Sequence, residues 1–459
     1  SLAHVPTIDQ TAPVHLVSFC NRGPSDTRPA KEDRVIAIQN LGKHVRRQAY
    51  NNEYYEEAIP IDNALVQKRA PPARVAVQLY GVFDGHAGVT AANYCATRLP
   101  YQLVTTPEFA EGDMEQALKS AFRTLHDALV SCGAYKPEGS CFTSGTTASV
   151  VLLAGDKAHF AFLGDSAILI TPRESNVPQF LFDFQNRHRR SEGDRALQSG
   201  MVLLHRQSYP RRQLALAWQL QDRRELVNFG SYRLGLAGVN TFGSIGDSIN
   251  DAAVFNKLVD ELASFKSVPS FASVAVASKD VRYETVATYL RSRPSWASLS
   301  KHLDLPSYEN APATLQLFFE LVLSPTMGRG DTLRCKHDAM RREPEITTRA
   351  ISSLEAIVLT SDGCITQRFE TGSIEERFMR QVLSAKPMTK LMLKTLRSFP
   401  SANREDDMTA VYLCVNPVRQ WGPMQLLLVL VAVIVAFFWL GGWRLLNFSG
   451  TPVIGVTHK

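Results

Sequence analysis

The chain has 459 residues, 45% of them apolar and 20% charged, with a formal net charge of +6. That balance buries a sizeable core, and the length allows two or three average domains or one large domain with appendages. Basic residues are dispersed, so composition points away from nucleic acid, and the seven cysteines, odd in number and without a CxxC pair, speak for a reducing compartment rather than a disulfide framework.

In chain order, residues 14–20 (VHLVSFC) and 34–39 (RVIAIQ) read as short strands, and the polar, aromatic stretch 44–60 as an inserted surface loop. Residues 75–83 (VAVQLYGVF) form a strand that runs into Asp84-Gly85-His86, and helical spacing follows over 89–103. Asp113 with Gln116 fits a capping box. The stripe Met114, Leu118, Phe122, Leu125 and Leu129 makes the next helix amphipathic, and His126 beside it reads as a surface or packed histidine. Residues 146–170 predict three strands with turns at Gly155-Asp156 and Gly164-Asp165. The stretch 172–250 is mixed and Arg-rich, and 250–340 alternates helical patterns with Ser/Pro loops. Residues 356–363 (AIVLTSDG) repeat the design of an apolar strand ending in Asp-Gly. Two helices are expected within 373–398, and 407–415 (DMTAVYLCV) is the last strand. Strands and helices without regular alternation predict an α+β domain on antiparallel sheets.

Near the C-terminus, residues 426–443 (LLLVLVAVIVAFFWLGGW) carry no charge, and Trp421, Trp439, Trp443, Arg419 and Arg444 lie toward the ends. This reads as a transmembrane helix over about 424–443. The organisation expected is an N-terminal extension (1–14), a catalytic-type domain (15–418) with insertions at about 40–70 and 250–340, the transmembrane helix, and a short tail (444–459).

The Asp84-Gly85-His86 stretch has two readings, a plain turn or a metal site at a strand end. Asp362 and Asp406 also lie beside strands, and Glu32-Asp33 opens an earlier one. Carboxylates and carbonyls are hard oxygen donors, suited to Mg²⁺ or Mn²⁺, and several carboxylates in one cleft call for cations between them.

These residues resemble the metal-dependent protein serine/threonine phosphatases of the PP2C type. Arg28 stands four before Glu32 in an Arg-x-x-x-Glu-Asp pattern, and FDGHAG, SGTTA followed by GDS, TSDG, and Asp406-Asp407-Met408-Thr409 follow in family order. The resemblance covers roughly residues 15–416 and implies a central antiparallel β-sandwich flanked by helices. It implies two Mg or Mn ions: Asp84 bridging, Asp362 and Asp406 completing one site, Glu32 and the carbonyl of Gly85 the other. Asp33 would act through water, and Asp165 with Asp362 would touch a third, weaker ion. Arg28 would hold the phosphate, and His86 would protonate the leaving alcohol. The substrates implied are phosphorylated proteins.

The sequence departs from the family pattern at Phe162 and Ala167 around GDS, at Asp183-Phe184, and in TFGSIGD (241–247), which lacks the family's arginine. Such departures leave room for an alternative, a catalytically weak or inactive subunit serving as a binding module in a membrane complex through its insertions. Cys335 to Arg341 satisfies a bare Cys-x5-Arg spacing but lacks the glycine-rich cradle of a thiolate phosphatase. A membrane anchor would place the substrates on the same membrane. Because the chain begins at Ser1, a cleaved presequence and a mitochondrial or plastid membrane are favoured, with an endoplasmic reticulum tail anchor as the alternative.

Overall fold

The computed structural model describes residues 15–21, 32–52, 60–132, 143–174, 179–185, 189–206, 212–216, 232–236, 239–266, 271–293, 334–363 and 407–415. In chain order the first elements are β1 (His15–Asn21), β2 (Arg34–Ile38), α1 (Leu41–Arg47), α2 (Asn63–Arg69), β3 (Val77–Phe83), β4 (Gly85–His86), α3 (Thr90–Thr105), α4 (Pro107–Glu111) and α5 (Met114–Cys132). A run of strands follows: β5 (Gly145–Thr146), β6 (Ala148–Ala154), β7 (Lys157–Leu163), β8 (Ala167–Pro172) and β9 (Gln179–Phe180). Then come α6 (Arg190–Ser199), β10 (Val202–Arg206), β11 (Arg212–Leu216), β12 (Tyr232–Leu234) and β13 (Ile245–Gly246). The last elements are α7 (Ala252–Lys266), α8 (Phe271–Val276), α9 (Lys279–Ser292), β14 (Glu345–Ala350), β15 (Leu354–Thr360) and β16 (Met408–Cys414).

Two five-stranded sheets, ordered β14-β7-β6-β3-β2 and β1-β16-β15-β8-β9, form the frame, with antiparallel pairing throughout each. Strand alternation explains why they stack. Tyr80, Val82, Val151, Phe160 and Phe162 of the first sheet share one buried cluster with Ile168, Ile170, Ile357, Leu359, Val411 and Leu413 of the second. The alternate residues of the first sheet, among them Ile36, Leu79, Val150, Leu152, Ala161 and Leu163, turn to the opposite face and pack on α3 and α5. The amphipathic stripe read from the sequence supplies that helical layer: Leu118, Phe122 and Leu125 are fully buried. Asp113 caps α5 by accepting the Gln116 N–H at 3.0 Å. His126 is a packed histidine, 5% exposed, that accepts the Gly246 N–H at 3.3 Å.

Several expectations need correction. The surface loop read over 44–60 begins as helix: Asn40 caps α1 by accepting the Lys43 N–H at 2.8 Å, and the helix runs through Arg47. His44, Arg46 and Arg47 of that stretch belong to this short helix, whose inner face, Leu41 and Val45, is buried, and residues 53–59 lie outside the described residues. The fold class expected, an α+β sandwich with an appended transmembrane helix, is corrected in its second part. Among the described residues no helix is long and apolar enough to cross a membrane, and the apolar run 424–443 lies outside them. The mitochondrial, plastid and endoplasmic reticulum placements, and the same-membrane substrates and complex, depended on that helix and are withdrawn with it. The helices expected within 373–398 also lie outside the described residues. By its contacts the chain divides into units 1–415 and 416–459.

Candidate active site

Glu32, Asp84 and Asp362 lie beside strands β2, β3 and β15, so the two sheets deliver them to one place. Asp84 follows the last residue of β3. Its Oδ2 accepts the Asp362 N–H at 3.3 Å and the Ser166 hydroxyl at 3.3 Å, which ties a loop after each of three strands to one carboxylate. The Asp84 carbonyl accepts the Thr147 N–H at 2.9 Å and the Thr146 hydroxyl at 3.1 Å, so the backbone before Gly85 is fixed as well.

Glu32 reaches the other side of the Asp-Gly-His turn, where its Oε1 accepts the Gly88 N–H at 2.8 Å. That turn is tight. Ala87 has φ of 54° and Gly88 of 113°, and a Cβ on Gly85 would overlap the Glu32 carbonyl. The Glu32 N–H donates to Asp407 Oδ2 at 2.7 Å. Asp407, which stands where the resembled motif has Asn, is therefore a buried acceptor (4% exposed) that positions the Glu32 backbone. Asp33 is 3% exposed, and Asp165 is 5% exposed in the turn between β7 and β8. Arg28 and Asp406 lie outside the described residues.

His86 shows what the sequence reading missed. Its Nε2 faces both carboxylate oxygens of Asp247, at 3.0 and 2.9 Å. Asp247 is fully buried, whereas the His86 side chain is 24% exposed. Burial opposes a charged ring, but Asp247, by charge and hydrogen bond, with smaller contributions from Asp165 and Glu32, raises the His86 pKa above its ordinary value. The Asp247 carboxylate is itself held: the Ser244 hydroxyl donates to Oδ2 at 2.5 Å, and the Asp247 N–H donates to the Ser144 carbonyl at 2.8 Å. A Cβ on Gly145 would overlap Asp247 Oδ2 and His86 Nε2, so the glycine of SGTTA makes room for this pair. The available signal was the second Gly-Asp-Ser, residues 246–248, a repeat of 164–166.

The site thus gathers Glu32, Asp84, the Gly85 backbone, His86 and Asp362, with Asp165 close enough to act on the His86 charge. Its oxygen donors are carboxylates and backbone carbonyls, the chemistry that hard divalent cations take. Among the described residues no group of three or more His, Cys, Asp or Glu side chains is assembled tightly enough to hold a metal ion, and Asp406 is not among those residues. Cys335 offers no rival nucleophile. It is buried, and burial, with Asp338 and Asp251, pushes its thiol up to about 12.

Residues 46–217 match the family model described as Protein phosphatase 2C. Among curated proteins, the chain is 32% identical over 108 residues to Protein phosphatase 2C homolog 3 of Schizosaccharomyces pombe, covering 24% of this chain and 25% of that protein. It is 37% identical over 147 residues to Protein phosphatase 1F of Homo sapiens, covering 32% of this chain and 30% of that protein. The chain therefore spans a quarter to a third of the length of these relatives. A solved serine-threonine phosphatase 2C from Toxoplasma gondii overlaps 87% of this chain and 98% of its own, at 14% identity and a TM-score of 0.40. The stretch that the family model matches runs from the end of α1 through β11, and over it the chain is similar to the PP2C-type protein phosphatases.

Proposed function

We propose that the chain is a protein phosphatase that hydrolyses phosphoserine and phosphothreonine, with two Mg or Mn ions in the acidic site and a third, weaker one beside Asp165. The observation that supports this most is the meeting of Asp84, Asp362 and Glu32 around the same turn that carries the His86–Asp247 pair. Asp84, Asp362, Asp406, Glu32 and the Gly85 carbonyl would hold the two principal ions. Asp33 would contact them through water, and Asp362 would share the third with Asp165. When bound, such ions supply an activated water and neutralise charge on the phosphoryl group.

The chain's own residues do the rest. Arg28 binds phosphate oxygens through its planar fork. Asp247 holds the His86 ring by Nε2 and favours its protonated form, which leaves Nδ1 to donate the proton to the departing serine or threonine oxygen. Ser166 and the Asp362 N–H fix the Asp84 carboxylate, and Gly88 fixes Glu32, so the donors are set before substrate arrives.

The test is turnover of a phosphothreonine peptide by the full chain with Mn²⁺ or Mg²⁺, an EDTA control, and the variants Asp84→Asn and Asp362→Asn. The expected result is metal-dependent turnover lost in both variants, with Mn²⁺ binding by calorimetry weakened in parallel. A folded chain that binds Mn²⁺ yet releases no phosphate would instead establish a binding module.

A further inference from the structure

Strand β2 is an edge. It pairs with β3 from Arg34↔Phe83 to Ile38↔Leu79 and, among the described residues, has no neighbour on its other side within its sheet. Residues 35–39 also line one side of an open groove of about 880 Å³. The facing wall comes from α1, which contributes Lys43, His44 and Arg47, and from α3, which contributes Pro100 and Tyr101. An unpaired strand edge is a row of backbone donors and acceptors able to pair with another extended chain.

Among the described residues the groove is charged in one sense only. Lys43 and Arg47 line it, both exposed, and among the described residues no Asp or Glu does. Among the described residues neither side chain has an ion-pair partner, whereas the neighbouring Arg46 is spent on the carbonyls of Ala70, Pro71 and Gly42. Burial lowers the His44 pKa, so this ring adds a hydrogen-bonding group and its 6.0 Å contact with Tyr101 rather than charge. The wall is also rigid. Tyr50 is buried against Tyr101 at 5.2 Å between rings, and the Arg98 guanidinium lies 5.5 Å from the Tyr50 ring. Along α3 the groove residues 96–101 stand ~9–16 Å from Thr90 beside the active site, at ~1.5 Å per residue.

We propose that this groove binds an acidic, extended segment of a partner protein, which adds to β2 as an antiparallel or parallel strand and places its carboxylates on Lys43 and Arg47. Backbone pairing supplies affinity, and the basic wall supplies selection, the division of labour seen wherever a peptide joins a sheet edge. Lys43 and Arg47, the two cations of the groove, fall within the stretch 40–70 that the sequence marks as an insertion. Binding here involves no phosphoryl chemistry and stands or falls apart from the catalytic reading.

The test is fluorescence anisotropy of the full chain with a labelled ten-residue peptide alternating threonine and glutamate. Expected are saturable binding that weakens with salt, no binding of the threonine–lysine counterpart, and at least a tenfold loss in Lys43→Glu/Arg47→Glu. That variant changes two exposed side chains, and its circular dichroism should match the parent; Arg47→Gln alone serves as a milder second variant. Two further peptides carry N-methyl groups on one or the other alternate set of residues, and one of them should lose binding by at least tenfold. Equal binding of both N-methylated peptides would overturn strand addition. Failure of every glutamate peptide to bind would overturn the proposal outright. Binding that emerges only after Glu53, Glu56 and Glu57 are changed to Gln would overturn it in favour of the chain's own acidic segment as occupant.

Discussion

The tripeptide Gly-Asp-Ser occurs twice, at 164–166 and 246–248, and the two copies reach the site by opposite members. Both glycines take positive φ, 114° at Gly164 and 88° at Gly246. In the first copy the serine makes the contact: Ser166 donates to Asp84 Oδ2 at 3.3 Å and shares a 2.7 Å hydrogen bond with Thr147. In the second the aspartate makes it, because Asp247 adopts φ of 50° and turns its carboxylate onto His86. Its serine is spent elsewhere, donating to the Leu129 carbonyl of α5 at 3.2 Å. The first copy sits in the turn that carries the chain from β7 in one sheet to β8 in the other, while the second leaves a two-residue strand and enters a 3₁₀ turn at Ser248–Asn250. The same tripeptide is thus aimed differently by the backbone on either side of it.

The strongest way to break this pairing is Asp247→Ala. It leaves the His86 ring without its carboxylate, and turnover should fall by about 10²-fold or more, the scale of losing a positioned acid. Intact near-ultraviolet circular dichroism with unchanged turnover would count against the role given to the pair. Next is Gly145→Ala, whose methyl group would enter the space between Asp247 and His86. Overpacking of this kind costs about 1–3 kcal/mol, read as a lower urea midpoint, and turnover should fall with it. Asp165→Asn tests the first copy and should cost about tenfold in apparent metal affinity, since Asp165 acts on the site from outside the Asp84–Glu32 group.

The smallest effect expected is at Asp251, which lies just beyond the second copy and caps α7 by accepting the Ala253 and Val254 N–H groups at 2.9 and 3.2 Å. Asp251→Ala should cost about 1 kcal/mol at neutral pH. Burial works to raise the Asp251 pKa, but His126, Arg342 and the Val254 N–H together hold it below the ordinary aspartate range. Its contribution is therefore complete above about pH 4, the unfolded value, and is lost as pH falls through the lower folded value. Urea midpoints of parent and Asp251→Ala should converge in acid.

Much of this was legible in the sequence where one residue's neighbours decide its fate. The strand over 75–83 and the helix from Asp113 follow from alternation and from an apolar stripe, and both appear within two residues of expectation. The Asp84 and Asp362 turns were visible because each ends an apolar strand. The His86–Asp247 contact was not, since it joins residues 161 apart and depends on a left-handed Asp conformation that no periodicity announces. The groove along β2 escaped for a similar reason. Lys43 and Arg47 look like any solvated charges until α1 is placed beside a strand edge. The apolar run 424–443 was read from composition alone, and it lies outside the described residues.

The pairing of β1 with β16, from His15↔Cys414 to Asn21↔Met408, sets an order of events during synthesis. β16 also lies between β1 and β15, so the second sheet cannot close until residues near 414 have been made. At ~5–20 residues per second, the first strand waits on the order of tens of seconds for its neighbour. The first sheet, by contrast, has β2, β3, β6 and β7 in hand once residue 163 emerges. The nascent chain therefore carries half a sandwich, with its inner face of Tyr80, Phe160 and Phe162 uncovered, through most of its translation. A ribosome-bound fragment ending near 340 should be held by chaperones far more than one ending beyond 415.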